Sequence, residues 1–342
     1  MIMKKMKKQS AVKLADMRMA VFLLAALLPG CAPKQAKPDP APETVTTRPA
    51  VQSGGETAAR QDETDSFCET TDFKAAAETE APLGDLPLST TLHPEWASFF
   101  DGVNGAAVIF DRAEHTFGVY NENLADTRRP PCSTFKIISS LAGLESGVID
   151  PENSVRPWSG ERFWNDDWNR DMDFDSAFHT SCVWYYRQVI DEIGPEAMQD
   201  AVEAIGYGNC DLSDWEGRLN TNNSNPALTG FWIESSLKIS PREQTEVLER
   251  IFGGDSEYTA DVRAALEEVM FLSEASDETC AIYGKTGMGK ANGVVADCWY
   301  AGFADVGRRI YFCIYLGETD SANVSSALAR EIAVSLIKEY VS

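Results

Sequence analysis

Histidine and basic residues are scarce in this sequence. Its 342 residues include three histidines, and 53 acidic against 30 basic residues give a formal net charge of -23. Nucleic-acid binding needs a basic surface, so this balance argues against nucleic acid as a partner. His93, His115 and His179 follow no ligand pattern, and the eight cysteines show no Cys-x-x-Cys spacing. The sequence therefore predicts no metal site, and we expect most cysteines to be small buried residues.

Long apolar runs are also scarce, and the run near the N-terminus has the length of a signal-peptide core. Residues 19–28 follow a lysine-rich start and are too few to span a bilayer. The run is followed by Pro29-Gly30-Cys31, and Leu-Leu-Pro-Gly-Cys resembles a bacterial lipobox with Cys31 as the lipidated residue. Ordinary signal cleavage with an incidental Cys31 is the alternative. We expect residues 1–31 to be a lipoprotein signal peptide, so that the protein is exported and anchored to a membrane on its periplasmic or cell-surface side.

Two further regions follow the expected signal peptide. Residues 32–91 are rich in proline, alanine, glutamate and threonine and lack apolar periodicity, which predicts a disordered tether. Residues 92–342 hold strand-like runs at both ends, including 105–110, 116–120, 297–304 and 310–316, and helical periodicity at 325–340. The pattern predicts an α/β domain whose sheet part, about 92–131 and 278–342, carries a mostly helical part at about 132–277.

The segment from Pro130 to Leu144 carries the first chemical motif. Prolines precede Ser133, and apolar residues follow at helical spacing, which predicts a helix start with a buried face. Ser133 and Lys136 are three residues apart, so the hydroxyl and the amine can meet on one side of the helix. A serine hydroxyl is a weak nucleophile until a base takes its proton, and a desolvated lysine can be that base.

Two more motifs follow in order along the chain. Ser181-Cys182-Val183 lies in a stretch that reads as helical, and Lys285-Thr286-Gly287 follows a short apolar run. Ser-x-x-Lys, a second serine triplet and Lys-Thr-Gly, in this order, are shared by serine β-lactamases and penicillin-binding proteins.

The chain resembles the class D (oxacillinase-type) serine β-lactamases over roughly residues 95 to 340. The stretches that carry the resemblance are Tyr120-Asn121, Pro131-Cys132-Ser133-Thr134-Phe135-Lys136-Ile137, Ser181-Cys182-Val183-Trp184-Tyr185-Tyr186, Tyr207-Gly208-Asn209, Phe231-Trp232-Ile233-Glu234-Ser235-Ser236-Leu237-Lys238-Ile239-Ser240, Tyr283-Gly284-Lys285-Thr286-Gly287 and Trp299-Tyr300-Ala301-Gly302-Phe303. The resemblance implies an antiparallel sheet flanked by helices with a mostly helical inserted subdomain.

The same resemblance implies hydrolysis of β-lactam antibiotics through an acyl-enzyme. Ser133 would be the nucleophile, and Lys136 would be the general base for acylation and deacylation. Ser181 would pass a proton towards the β-lactam nitrogen, with Lys285 in the same proton network. The family carries its lysine as a carbamate formed with carbon dioxide, which requires a neutral amine in an apolar pocket. No other cofactor is implied.

The resemblance also implies a set of substrate-binding residues. The backbone N–H groups of Ser133 and Met288 would form the oxyanion hole. Arg330 would bind the substrate carboxylate as a bidentate fork. The indole N–H of Trp232 would hold the carbamate. The full set is Val183, Trp232, Thr286, Gly287, Met288 and Arg330. Residues 158–175 fall where relatives have a cleft-lining loop.

Two other functions share these motifs. A β-lactam sensor would be acylated and stay acylated, but such receptors normally join this domain to several membrane helices, and this sequence shows one short apolar segment. A cell-wall transpeptidase or carboxypeptidase usually has Ser-x-Asn where this chain has Ser181-x-Val183. The sequence therefore favours the hydrolase. It leaves the range of β-lactams, disulfide pairing and oligomeric state open.

The lipobox reading predicts where the protein is found in the cell. Wild-type protein should fractionate with membranes, and Cys31→Ser should release or misprocess it, because the thiol that would carry the lipid is lost. Fractionation followed by N-terminal sequencing measures both effects. A wild-type protein that is wholly soluble and begins at another residue would contradict the prediction.

Overall fold

The computed structural model describes residues 89–219, 224–319 and 324–342. The expected signal peptide, Cys31 and nearly all of the expected tether lie outside these ranges. Within the described ranges, no helix has the length and apolar character needed to cross a membrane.

A twisted mixed sheet forms the frame of the described part. Its strands are β1 (Thr90–Leu92), β2 (Gly105–Asp111), β3 (Thr116–Tyr120), β4 (Ala281–Ala291), β5 (Val294–Asp305) and β6 (Arg309–Gly317), in the spatial order β1-β3-β2-β6-β5-β4. All pairings are antiparallel except that of β1 with β3, which is parallel. The expected antiparallel sheet is thus confirmed for the five main strands, and β1 adds a short parallel edge.

Helices cover the sheet and fill the middle of the chain. They are α1 (Ala97–Phe100), α2 (Glu122–Ala125), α3 (Lys136–Ser146), α4 (Phe174–His179), α5 (Val183–Ile193), α6 (Pro195–Ala204), α7 (Pro241–Phe252), α8 (Ala260–Met270) and α9 (Ser326–Tyr340). Short 3-10 turns lie at Cys132–Phe135, Pro151–Asn153, Asp166–Trp168 and Pro226–Leu228. The helical middle and the final helix agree with the sequence pattern.

The strands β5 and β6 are buried on both faces, which explains why each reads as an almost continuous apolar run. Trp299 and Tyr315 join the core shared with the helical part. Tyr300 and Ile314 point to the opposite face and join the core under α9. Successive side chains of a strand alternate between faces, so one pair of strands serves both cores. The neighbouring edge strand β4 is therefore backed by a rigid, buried layer.

The cysteines of the described ranges contribute to packing. Cys132, Cys182, Cys210, Cys280, Cys298 and Cys313 are all free thiols. All of them except the half-buried Cys210 are buried, as expected for small apolar residues.

Candidate active site

The nucleophile turn, Cys132–Phe135, runs directly into α3. Ser133 lies within this 3-10 turn, and Lys136 is the first residue of the α-helix. The Lys136 Nζ lies 2.9 Å from the Ser133 Oγ. The contact predicted from the spacing of three residues is therefore present, although Ser133 lies inside the turn rather than at a simple helix cap.

Burial controls the charge of Lys136. The side chain is only 1% exposed and packs 5.3 Å from the centre of the Tyr186 ring. Desolvation lowers the pKa of Lys136 from its usual value to about 8, against smaller opposing effects of Cys182 and Cys132. At pH 7 about a tenth of this amine is consequently neutral and can accept a proton from Ser133, far more than for an ordinary exposed lysine.

Three contacts hold the nucleophile turn in place from outside. The Cys132 N–H donates to the Trp232 backbone oxygen at 3.0 Å, and the Trp299 indole donates to the Pro130 oxygen at 3.1 Å. β4 passes so close that a Cβ on Gly287 would lie 2.9 Å from the Pro131 oxygen. Gly287 therefore allows the Lys-Thr-Gly strand to reach the turn that carries Ser133.

Ser181 lies in the turn between α4 and α5 rather than inside a helix. Its N–H donates to the Phe178 oxygen at 3.1 Å, and the Cys182 N–H donates to the Ala177 oxygen at 2.8 Å. This pair of bonds is a Schellman motif, and Ser181 occupies its left-handed position with φ of 58°. Glycine is the usual residue there, so the fold tolerates a strained serine whose hydroxyl is placed in the site.

Lys285 connects Ser181 with the β4 strand. Its Nζ donates to the Ser181 Oγ at 3.1 Å, to the Thr286 oxygen at 3.1 Å and to the Thr286 Oγ1 at 3.3 Å. The side chain is 4% exposed. Burial lowers the pKa of Lys285 well below its usual value, and the charge of Lys136 lowers it further. A protonated Lys136 thus disfavours protonation of Lys285.

A cavity of about 590 Å³ opens beside Ser133. Val183, at the start of α5, and Met288, on β4, line it together with Trp164 and Trp168. The loop expected to line the cleft therefore does so, and it presents aromatic side chains.

Trp232 is buried next to the nucleophile turn. Its ring stacks on Phe135 with centroids 6.2 Å apart and meets Phe231 edge-on at 5.1 Å. Gly230 leaves room for the ring, since a Cβ there would lie 2.0 Å from it. Trp232 and its aromatic neighbours therefore form a packed layer against the nucleophile turn.

Arg330 lies apart from the cavity at Ser133. It lines a smaller cavity of about 80 Å³ with Lys285, Thr286 and Tyr300. Its guanidinium also pairs with Glu274, at 3.1 Å. The structure thus places most of the predicted site residues around the nucleophile and the strand that faces it: Ser133, Lys136, Ser181, Lys285, Thr286, Gly287, Val183, Trp232 and Met288. Arg330 lies next to Lys285 and Thr286 in the smaller cavity.

Two carboxylates near the site were missed by sequence reasoning. Glu234, two residues after Trp232, accepts the Lys290 N–H at 2.7 Å and so joins this segment to β4. Glu274 is the partner of Arg330. Glu234 lies in a stretch that carries the family resemblance, whereas Glu274 belongs to no motif. Both contacts join residues that are 56 positions apart, so local sequence could not reveal the partners.

Comparisons with known proteins agree with this arrangement. The family of the penicillin binding protein transpeptidase domain matches residues 102–338. The probable beta-lactamase YbxI of Bacillus subtilis is 30% identical over 241 residues, which cover 70% of this chain and 82% of that protein. A solved class D beta-lactamase from Bacillus subtilis superposes with a TM-score of 0.63 at 27% identity, covering 72% of this chain and 95% of that one.

A regulatory protein is also similar. The regulatory protein BlaR1 of Bacillus licheniformis is 28% identical over 256 residues, which cover 74% of this chain. The match spans 40% of the length of BlaR1. This chain is therefore similar both to a probable β-lactamase and to part of a longer regulatory protein.

The Schellman position of Ser181 yields a prediction that separates folding from chemistry. Ser181→Gly and Ser181→Ala both remove the hydroxyl, and both should slow covalent labelling of the protein by a penicillin reporter by about a hundredfold or more, as expected for loss of a proton-transfer group. Ser181→Ala keeps a Cβ in the left-handed conformation, so it should be about 1 kcal/mol less stable than Ser181→Gly. Urea unfolding and labelling kinetics measure the two effects. Equal stability of the two variants, or a wild-type labelling rate in either, would contradict the prediction.

Proposed function

Because this chain belongs to the penicillin binding protein transpeptidase domain family and resembles the class D β-lactamases, we propose that it hydrolyses β-lactams through an acyl-enzyme on Ser133. The family and the similar proteins support β-lactam binding. Hydrolysis is the finer step of the proposal, and it depends on the chemistry of the lysine beside Ser133.

One observation carries the proposal. Lys136 is buried, its pKa is lowered to about 8, and its Nζ lies 2.9 Å from the Ser133 Oγ. This combination supplies both the reach and the protonation state that a general base needs. An ordinary surface lysine at the same spacing would remain protonated and could not take the proton.

The proposed reaction begins at Ser133. Its oxygen attacks the β-lactam carbonyl carbon while its proton moves to Lys136, and the backbone N–H groups of Ser133 and Met288 stabilise the oxyanion. When the carbonyl C–N bond breaks, the ring nitrogen receives a proton through Ser181. Lys285 donates to the Ser181 hydroxyl, so it holds this hydroxyl in place. Hydrolysis then requires that a base near Ser133 activate water against the acyl ester.

The surroundings of Lys136 fit a carbamate at this position. The amine is buried, has a lowered pKa and packs against the Tyr186 ring. Carbon dioxide bound to the neutral amine would supply an anion with two acceptor oxygens at this place. Trp232 would hold that anion through its indole N–H, which can only donate. The half-buried Val183 would keep that part of the cavity apolar.

The likeness to BlaR1 favours a second candidate function, a β-lactam receptor that is acylated but not deacylated. The two candidates share every step up to the acyl ester and differ only afterwards. A burst titration with a chromogenic cephalosporin separates them. Sustained turnover supports the hydrolase, whereas one equivalent of product with no further product formation supports the receptor.

Export and lipidation at Cys31 complete the proposal. A protein anchored in this way would meet β-lactams before they reach cell-wall enzymes. Its acidic composition, with a formal net charge of -23, is also consistent with a small-molecule substrate rather than nucleic acid.

The nucleophile can be tested directly. Ser133→Ala should abolish covalent labelling by a fluorescent penicillin, because no hydroxyl remains next to Lys136, and it should leave the circular dichroism spectrum unchanged. Ser146→Ala, at the end of the same helix, should label like the wild type and serves as the matched control. Labelling that persists in Ser133→Ala, mapped by mass spectrometry to another residue, would contradict the assignment.

The protonation state of Lys136 predicts a dependence on pH and on bicarbonate. The pKa of Lys136 is about 8, so the amine becomes protonated as the pH falls below this value. A protonated amine can neither accept a proton nor react with carbon dioxide. In bicarbonate-depleted buffer the rate should therefore fall by about fiftyfold from pH 8 to pH 6, following the neutral fraction. Added bicarbonate should restore activity at mildly acidic pH, and ¹³C-labelled bicarbonate should give a carbamate NMR signal.

A variant at Trp232 completes this test. Trp232→Phe keeps an aromatic ring but removes the indole donor, so it should slow deacylation more than acylation and sharpen the dependence on bicarbonate. Turnover unaffected by bicarbonate depletion, together with an unchanged Trp232→Phe variant, would leave Lys136 acting as a plain amine base.

A further inference from the structure

The small cavity beside Arg330 brings hydrogen-bond donors together at the end of the proposed site. Its polar lining includes Lys285, Thr286, Tyr300 and Arg330, and its volume is about 80 Å³. A guanidinium, a buried lysine amine and two hydroxyls around a space of this size suit a small anionic group such as a carboxylate. Because Lys285 and Thr286 also contact each other, an anion bound here would touch the proton network of Ser181.

The guanidinium that this anion would use already has a partner. Arg330 Nη1 lies 3.1 Å from a carboxylate oxygen of Glu274. The two side chains are 39% and 62% exposed, so the ion pair is in contact with solvent. Exposed ion pairs are weak and can exchange partners.

The backbone around Glu274 is held firmly against β4. The Leu272 N–H donates to the Ile282 oxygen at 2.8 Å. The Ser276 Oγ donates to the Leu272 oxygen at 2.8 Å and accepts the Ile282 N–H at 2.9 Å. Residues on both sides of Glu274 are thus fixed to the strand that carries Lys285. The fold therefore fixes the backbone position from which the Glu274 side chain reaches Arg330.

The pKa of Tyr300 indicates that the charges of Arg330 and Glu274 both act on the small cavity. Burial raises the pKa of the Tyr300 hydroxyl, the positive charge of Arg330 opposes this change, and the negative charge of Glu274 reinforces it. Tyr300 lines the cavity, so Glu274 counteracts the positive potential that Arg330 would otherwise contribute there.

We propose that Glu274 is a specificity-determining residue that competes with the carboxylate of a β-lactam for Arg330. This inference rests on the function proposed above. A substrate carboxylate must displace Glu274 before it can pair with the guanidinium, and it must enter a field that Glu274 has weakened. Substrates whose carboxylate is essential for binding are therefore bound less tightly than the cavity alone would allow, while neutral analogues are unaffected.

The experiment compares a chromogenic cephalosporin with its methyl ester, which lacks the negative charge. Glu274→Gln should raise kcat/KM for the free acid by about two- to fivefold, the range expected for an exposed ion pair. The gain should come from a lower KM with kcat unchanged, and the ester should show no change. Arg330→Gln should lower kcat/KM for the acid by about tenfold, as expected for a hydrogen bond between charged groups.

Two controls make the result decisive. Glu278→Gln removes the same charge from an exposed position in the same segment and should leave kcat/KM for the acid unchanged. In an Arg330→Gln background, adding Glu274→Gln should have no further effect, because the partner is gone. No gain in Glu274→Gln, an equal gain for the ester, an equal gain in Glu278→Gln, or a gain that persists without Arg330 would each overturn the inference.

Failure of the inference can be told apart from failure of the proposed function. If the acid and the ester both acylate Ser133 but Glu274→Gln shows no selective gain, only the role of Glu274 is wrong. If neither compound labels Ser133 in any variant, the proposed function is wrong, and the inference about Glu274 falls with it.

Discussion

The desolvation of Lys136 is the constraint on which the rest of the site depends. A lysine in water is protonated and would be useless as a base, but this amine is almost fully buried, against the Tyr186 ring and beside Ser133. The positive charge of Lys136 in turn lowers the pKa of the neighbouring Lys285. Burying two lysines is costly, and the surrounding core must supply the stability that permits it. The large aromatic cluster around Phe135, Phe231 and Trp232 fulfils that requirement.

Two of the eight non-glycine residues with positive φ in the described ranges lie at the residues that present the reactive groups. Cys132, directly before Ser133, has φ of 51°, and Ser181 itself has φ of 58°. Both are non-glycine residues in the left-handed region, where a Cβ costs energy. In each case long-range hydrogen bonds or a helix-capping motif hold the conformation. This pattern is typical of sites in which geometry is maintained at the expense of stability.

The strand β4 lies between the sheet part and the helical part of the domain. Its inner neighbour β5 is buried on both faces, so β4 is fixed on one side by the sheet. On its other side it meets the nucleophile turn through the close approach at Gly287, and it receives Glu234 at a bulge next to Lys290. One strand therefore sets the distance between the nucleophile, the proton network and the mouth of the cavity. Lys285 and Thr286 of this strand also line the small cavity that Arg330 borders.

Local sequence determined the features that depend on neighbours along the chain, and tertiary structure decided the rest. Ser133 and Lys136 meet because residues three apart lie on one side of a helical turn, and the strand-like runs of β5 and β6 follow from burial on both faces. The bond between Lys285 and Ser181 joins residues 104 positions apart, and the pair of Arg330 and Glu274 joins residues 56 apart. Resemblance to a family could place the first of these contacts, because its partners belong to shared motifs. Nothing in the sequence could predict the pair of Arg330 and Glu274, because an exposed glutamate in a turn follows no local pattern. Only the packing of that turn on β4 brings the Glu274 carboxylate to the guanidinium.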